Sequence, residues 1–354
     1  MTDDVKTVWI LGSGFSAGLG GPLLNQLLSP SGLSKVLSKY GSMRDELDLV
    51  YETYWRHHPA LRREVLSPGA IYWQHAEEFL DFVDEAATRS GPRTTEFDGF
   101  DTGLTAQEFH RRAVRAIAAE CLFTEPANLS SESWQPYRSW ANSLTPNDSI
   151  ITFNYDLVLE RSYKENGTTP HLVVMPGQRR LDGHTNIYKL HGSVDWRSIS
   201  DGDDVERRNA SDILNDGQSP LIATPGPSKR LHATGLLASV WTLALEAIRN
   251  ADIIVFIGYR FPPSDSEARR TILRAIREST RQELMVHTVL GPRTHDDDTV
   301  RLKAMLEAVL GASRIRAGDG MGWGGDENPY PPWVYYVQTH TLYAQDFFTV
   351  AYPG

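Results

Sequence analysis

Short apolar runs rich in β-branched residues alternate along this chain with longer stretches of helical spacing, which predicts a parallel sheet flanked by helices. The first run, Val8-Trp9-Ile10-Leu11, has the length and content of a buried parallel strand. Ser149-Ile150-Ile151-Thr152-Phe153, Asn186-Ile187-Tyr188-Lys189-Leu190, Ile253-Ile254-Val255-Phe256-Ile257 and residues 284–290 read the same way. Between the first two runs the spacing turns helical: Leu47, Val50, Tyr51 and Tyr54, then Phe79, Phe82 and Val83, then residues 106–122 with Phe109, Ala113, Ile117 and Cys121 on one face. A later amphipathic helix over 236–250 turns Leu237, Val240, Trp241, Ala244 and Ile248 inward, and 266–278 is helical with Ser264 or Asp265 as its cap. Residues 157–163 start a helix as well, and the apolar stretch 23–28 reads as a helix face.

The pattern defines an α/β fold, a Rossmann-like doubly wound parallel sheet with an inserted helical module. The expected division is a core of 1–32 and 148–310, a helical insertion of 33–147, and an aromatic, Gly-rich extension of 311–354. Residues 90–103 read as an exposed loop, 201–218 as an acidic mobile loop, and 220–225 as another short strand. The extension, with its Gly-rich 318–325, the Pro-Tyr-Pro-Pro-Trp run at 329–333 and a tail to Tyr352, would be a contact surface if exposed. Packing with a role in assembly is favoured.

Composition narrows the chemistry. Of 354 residues 40% are hydrophobic and 23% charged, and the net charge is −10, the wrong sign for a protein whose main ligand is nucleic acid. The single cysteine, Cys121, excludes an internal disulfide and any multi-cysteine zinc site, and points to a cytoplasmic home. The acidic N-terminus runs directly into a strand, so no signal peptide is expected. Residues 240–261 are broken by Glu246, Arg249, Asp252 and Arg260, so no membrane span or membrane partner is expected. His57, His58 and His75 lack accompanying Cys or acidic spacing; they read as solvated, and no metal is expected.

The residues just beyond each strand carry the candidate chemistry. After Leu11 comes Gly12-Ser13-Gly14-Phe15-Ser16-Ala17-Gly18-Leu19-Gly20-Gly21-Pro22, with five glycines in ten residues. A strand, a glycine turn and a helix can hold a dinucleotide pyrophosphate, because glycines let the backbone approach it and helix-start N–H groups point at its charge. A tight structural turn explains a lone Gly-x-Gly equally well. This one extends to Gly-x-Gly-x-Ser-x-x-x-Gly-x-Pro, which differs from the dehydrogenase fingerprint. Asn154 and Asp156 stand at the end of the second strand, placed either to bind a ligand or to cap the next helix. His191-Gly192 ends the third; a histidine there can act as a base near neutral pH or serve structurally. Gly258-Tyr259-Arg260 ends the fourth. One such end is unremarkable, but four converging on one sheet edge make a site.

Together these strand ends resemble the sirtuin-like family over roughly residues 8–292. The glycine pattern is similar to that family's first NAD-binding motif, Thr152-Phe153-Asn154-Tyr155-Asp156 to its Thr-Gln-Asn-Ile-Asp motif, and His191-Gly192 to its catalytic His-Gly pair. The Asp-Phe-Arg continuation is replaced by Leu23-Leu24-Asn25, Arg260 stands where a small hydroxyl residue is usual, and the four-cysteine zinc module is absent. The phrases around Asn154, His191 and Gly258 look like those of bacterial sirtuin-like proteins of anti-phage defence, which hydrolyse NAD. The resemblance implies NAD as substrate, with no metal, and Asn154, Asp156 and His191 as catalytic residues. It implies cofactor contacts from Gly12, Ser13, Gly14, Phe15, Ser16, Gly20, Pro22, Gly192, Gly258, Tyr259 and Asp265. It further implies a homo-oligomer or a partner protein in trans, such as a defence-system ATPase or sensor. An ADP-ribosyltransferase or deacylase, and a non-catalytic NAD or ADP-ribose sensor or structural subunit, are the competing expectations.

Overall fold

The computed structural model describes residues 5–56, 76–89, 96–97, 100–123, 131–162, 171–199, 204–224, 235–262, 265–279, 281, 283–292, 297–317 and 336–352. The chain opens with β1 (Thr7–Leu11) and α1 (Ser13–Ala17), then the helices α2 (Pro30–Lys39), α3 (Arg44–Arg56) and α4 (Ala76–Arg89). A small hairpin, β2 (Glu96–Phe97) and β3 (Phe100–Asp101), leads to α5 (Ala106–Cys121) and α6 (Gln135–Ser143). There follow β4 (Ser149–Thr152), α7 (Val158–Ser162), β5 (His171–Val173), β6 (Thr185–Lys189), β7 (Trp196–Ile199), β8 (Asp204–Arg207) and α8 (Ala210–Asn215). The last elements are α9 (Ala238–Arg249), β9 (Ile253–Ile257), α10 (Ser266–Arg277), β10 (Met285–Val289), α11 (Asp297–Ala317), β11 (Tyr336–His340) and α12 (Ala344–Ala351).

Seven strands form one sheet in the order β11-β10-β9-β1-β4-β6-β5, and every pairing in it is parallel. β1 is the central strand. The chain leaves it for β4 on one side and returns to β9 on the other, so the order reverses there and a crevice opens beyond the carboxyl ends of the strands.

Strand alternation decides which layer each side chain enters. Val8 and Ile10 of β1, with Ile254 and Phe256 of β9, pack under α9, α10 and α11 against Val240, Ile272 and Leu306. Trp9 and Leu11, with Val255 and Ile257, face the opposite layer of α6, α7 and α12. That layer is aromatic: Trp140 stacks on Phe348 at 4.8 Å, and Phe15 meets Tyr137 edge-on at 5.2 Å. Both faces are covered, which explains the continuous apolar runs. The tail beyond residue 310 supplies β11 and α12 to this packing.

A separate core joins α2, α3, α4 and α5 through Leu47, Val50, Phe79, Phe109 and Ile117. It reaches the sheet through Tyr155 and Val194, so these helices cover the crevice end.

Four expectations are corrected. The stretch 23–28 is no helix face: only Leu24–Gln26 form a single 3-10 turn, the Gln26 side chain accepts from the Leu23 N–H, and Leu28 takes φ 56°. The helix starts earlier, at Ser13, directly after the strand. The described part of 201–218 is ordered, as β8 and α8, because the buried Arg115 of α5 donates to the carbonyls of Leu214 and Gln218 while pairing with Glu46. Residues 220–225 form no strand in their described part; they contribute one bridge, Gly192 to Ile222. Of the stretch 90–103, residues 96–97 and 100–101 pair as the hairpin. His57, His58, His75, Ser264 and residues 318–333 lie outside the described residues.

Candidate active site

Four strand ends meet at one cavity. It has a volume of about 460 Å³ and is walled by Gly12, Ser13 and Gly14 after β1, Asn154 and Asp156 after β4, His191 after β6, and Gly258, Tyr259 and Arg260 after β9. Pro22, Leu23 and Asn25 also line it, as do Glu77 of α4 and Cys121 of α5.

The glycines are required by how closely two of these ends approach. The Gly12 N–H donates to the Ile257 carbonyl at 2.9 Å and the Gly14 N–H to the Gly258 carbonyl at 3.4 Å. A Cβ on Gly258, at φ 64°, would stand 2.4 Å from the Gly14 Cα, and one on Gly12 would stand 2.7 Å from the Gly258 oxygen. No larger residue fits at either place. The amides of Gly12 and Gly14 are thus spent on β9, and what these residues offer a ligand is backbone surface.

Behind the wall lies a chain of polar side chains. Asn154 donates through Nδ2 to the Gly12 carbonyl at 3.0 Å and to Ser16 Oγ at 3.1 Å. Ser16 Oγ donates in turn to Asp156 Oδ2 at 2.7 Å, and Asp156 Oδ1 accepts from the Val158 N–H at 3.0 Å. Asp156 therefore caps the turn into α7 and belongs to the site as well; the two readings of this residue do not compete. Burial raises its carboxyl above the usual range, opposed by Lys189, by the Ser16 hydroxyl and by the Val158 N–H. Lys189, fully buried at the end of β6, donates to the Asp156 carbonyl at 2.7 Å and to Glu160 at 2.9 Å. That cation pins the ends of β4 and β6 to each other and so sets Asn154 relative to His191.

His191 is 3% exposed. Phe153 meets its ring edge-on at 4.9 Å, and Trp241 and Tyr155 lie with ring centres at 6.4 Å. Its Nε2 is 3.8 Å from Asp265 Oδ1. Gly192 follows because the segment 221–222 crosses there: at φ 79° a Cβ would stand 2.0 Å from the Leu221 oxygen. Burial pushes the Cys121 thiol well up, which removes it as a nucleophile.

Of the residues expected from the sequence, Gly12, Ser13, Gly14, Pro22, Asn154, Asp156, His191, Gly258, Tyr259 and Asp265 line the cavity together. Ser16 lies behind it and holds Asn154 and Asp156. Phe15 points into the aromatic layer, Gly20 makes the left-handed turn after α1 at φ 92°, and Gly192 packs on Leu221; none of these three lines the cavity. Glu77, Asn25 and Arg260 were missed as site residues. Arg260 had a signal, since it directly follows Gly258-Tyr259; Glu77 sits on an ordinary amphipathic helix and had none. Among the described residues no group of three or more His, Cys, Asp or Glu could hold a metal. No helix among them is long and apolar enough to cross a membrane.

Residues 148–310 match the model of the SIR2-like domain family. The matched segment holds Asn154, Asp156, His191, Gly258 and Asp265. Among solved structures it is similar to Sir2Tm bound to a propionylated peptide, at 13% identity over 86% of this chain and 94% of that one, with TM-score 0.32. It is also similar to a Sir2–p53 peptide–NAD+ complex, at 15% identity over 88% and 94%, with TM-score 0.35. A search of curated proteins finds no match.

Proposed function

We propose that this protein is an NAD+ hydrolase that cleaves the nicotinamide–ribose bond with water, giving nicotinamide, ADP-ribose and a proton. The SIR2-like domain supports NAD-dependent chemistry of the sirtuin type. The observation that carries the hydrolase reading is the meeting of Asn154 and His191 in one cavity beside the glycine wall.

The scissile bond breaks through an oxocarbenium-like state, as in glycoside hydrolysis. The site must fix the ribose, let nicotinamide leave and present water in line. Asn154, held by Gly12 and Ser16, orients the ribose hydroxyls or the attacking water. The buried carboxyl of Asp156 favours the positive charge that develops on the sugar. His191 takes the proton of the attacking water. Gly12, Ser13 and Gly14 bring backbone against the diphosphate, and Arg260 brings a cation to the same wall. The cellular role that fits is a cytoplasmic anti-phage effector that drains NAD, held in check by self-assembly or by a partner protein; a mass by light scattering that stays monomeric at all concentrations counts against self-assembly.

Incubation of the purified chain with NAD+, with nicotinamide and ADP-ribose followed by chromatography, tests the reaction. Equimolar products, lost in His191→Ala, support it. NAD+ that binds in calorimetry without turnover favours the sensor reading, and no binding overturns both.

A further inference from the structure

Asp265 stands at the position that caps α10, yet its side chain makes no capping bond to the helix. The carboxylate turns inward instead and is 3% exposed. Its Oδ2 accepts from the Tyr259 hydroxyl at 3.3 Å and its Oδ1 lies 3.8 Å from His191 Nε2. Tyr259 stacks on Phe153 at 4.2 Å with the rings 7° from parallel, and Phe153 meets His191 edge-on at 4.9 Å. Asp265, Tyr259, Phe153 and His191 thus form a closed ring of contacts drawn from α10 and the ends of β9, β4 and β6.

We propose that Asp265 is a positioning residue for His191: its carboxylate fixes the imidazole's orientation and stabilises the imidazolium formed when His191 accepts a proton. The inference rests on the reading of His191 as the base in NAD+ cleavage. An anion this close to an imidazole favours the protonated ring. Among the described residues, the other ionisable groups lining the cavity with His191 are Tyr155 and Asp156 beyond β4, Tyr259 and Arg260 beyond β9, Glu77 of α4 and Cys121 of α5. Asp265 Oδ1 makes an ion-pair contact with the imidazole Nε2 at 3.8 Å. Tyr259 holds its second oxygen, so the carboxylate cannot swing away without breaking that bond.

The test uses the full chain with Asp265→Asn and Asp265→Glu, and measures NAD+ cleavage against pH together with the imidazole 15N resonances, His191 being assigned by its loss in His191→Gln. In Asp265→Asn the acid limb of the kcat/KM profile moves to lower pH by about 1 unit or more. Its plateau kcat falls by about tenfold while KM stays within about twofold. Asp265→Glu, which keeps the charge, recovers most of kcat. An Asp265→Asn profile with an unmoved acid limb and a raised KM overturns the proposal and makes Asp265 a ligand contact. If the wild-type chain cleaves no NAD+, the functional reading fails separately and the 15N titration still decides. A His191 curve displaced in Asp265→Asn supports the coupling, and superimposable curves overturn it. Should Asp265→Asn fail to fold, judged by its thermal melt, Asp265→Ser, which also removes the charge, is read against wild type in the same way.

Discussion

The two ends of the one sheet are finished differently. At the amino end, polar side chains mainly serve the backbone. Asp252 accepts the Lys6 N–H at 2.9 Å, Asp148 accepts the Thr145 N–H at 2.7 Å, and Thr185 donates to the Thr145 carbonyl at 2.6 Å. At the carboxyl end, side chains bind side chains: Asn154 to Ser16, Ser16 to Asp156, Lys189 to Glu160, Tyr259 to Asp265, with His191 beside Asp265. Side chain–side chain bonds are a small share of a protein's total, and buried networks of them are costly unless complete. The amino end fixes the path of the chain; the carboxyl end fixes functional groups relative to one another. The separate core of α2 to α5 lies over the carboxyl end and contributes Glu77 and Cys121 to the cavity.

The largest effect expected from this contrast is on catalysis. His191→Ala and Asn154→Ala each reduce NAD+ cleavage by at least about a hundredfold, the scale of general acid–base and orienting groups, with the melting curve little changed. Activity that survives both substitutions breaks the comparison at its root. Next comes Gly258→Ala, whose Cβ meets backbone of the β1 turn. Strain at its positive φ alone costs about 1–3 kcal/mol, read by denaturant unfolding, and displacement of the β1 turn lowers NAD+ affinity too.

The third test addresses the helical cover. Glu120 of α5 lies buried, accepts from the Leu28 N–H at 2.9 Å and from the Tyr51 hydroxyl, and its pKa is raised to about 7, chiefly by burial. The folded chain therefore keeps a proton that the unfolded chain releases above its ordinary value of 4.5. Stability from this group is fully present below 4.5 and is lost as pH rises through about 7. Glu120→Gln keeps the acceptor for Leu28 without the charge. Relative to wild type its melting temperature rises from pH 4.5 to about 7 and levels off above that, and a constant difference throughout would refute the assignment. The smallest effect is expected from Asp148→Ala at the amino end. It costs about 1 kcal/mol for the lost turn bonds and leaves NAD+ cleavage within about twofold. A large loss of activity there would erase the distinction between the two ends.

Local pattern was enough to find most elements. β9 follows the run 253–257 residue for residue, and α5, α9 and α10 end within two residues of where the periodicity stops. Where local preference was weak the reading failed: residues 23–28 are apolar in composition but are shaped by Leu28, whose N–H goes to Glu120 and whose carbonyl accepts Trp55 Nε1 at 2.7 Å, partners far along the chain. The ordering of 204–218 depends likewise on Arg115.

The site divides along the same line. Sequence alone is enough to place polar and glycine residues after apolar strands at Gly12, Asn154, His191 and Gly258, since strand ends can be located from period and composition. Packing in three dimensions selected which of them share a cavity and what each does there. Parallel pairing of β9, β1, β4 and β6 brought the four ends to one edge, the clash distances assigned the glycines to backbone contact, and packing sent Phe15, Gly20 and Gly192 elsewhere. It also supplied Glu77 from a helix with no sign of chemistry and turned Asp265 from helix cap to neighbour of His191. Strand and helix signals arise from neighbours a few residues apart, whereas the bonds of the site join residues as distant as Gly12 and Asn154, which only the packed sheet brings within reach.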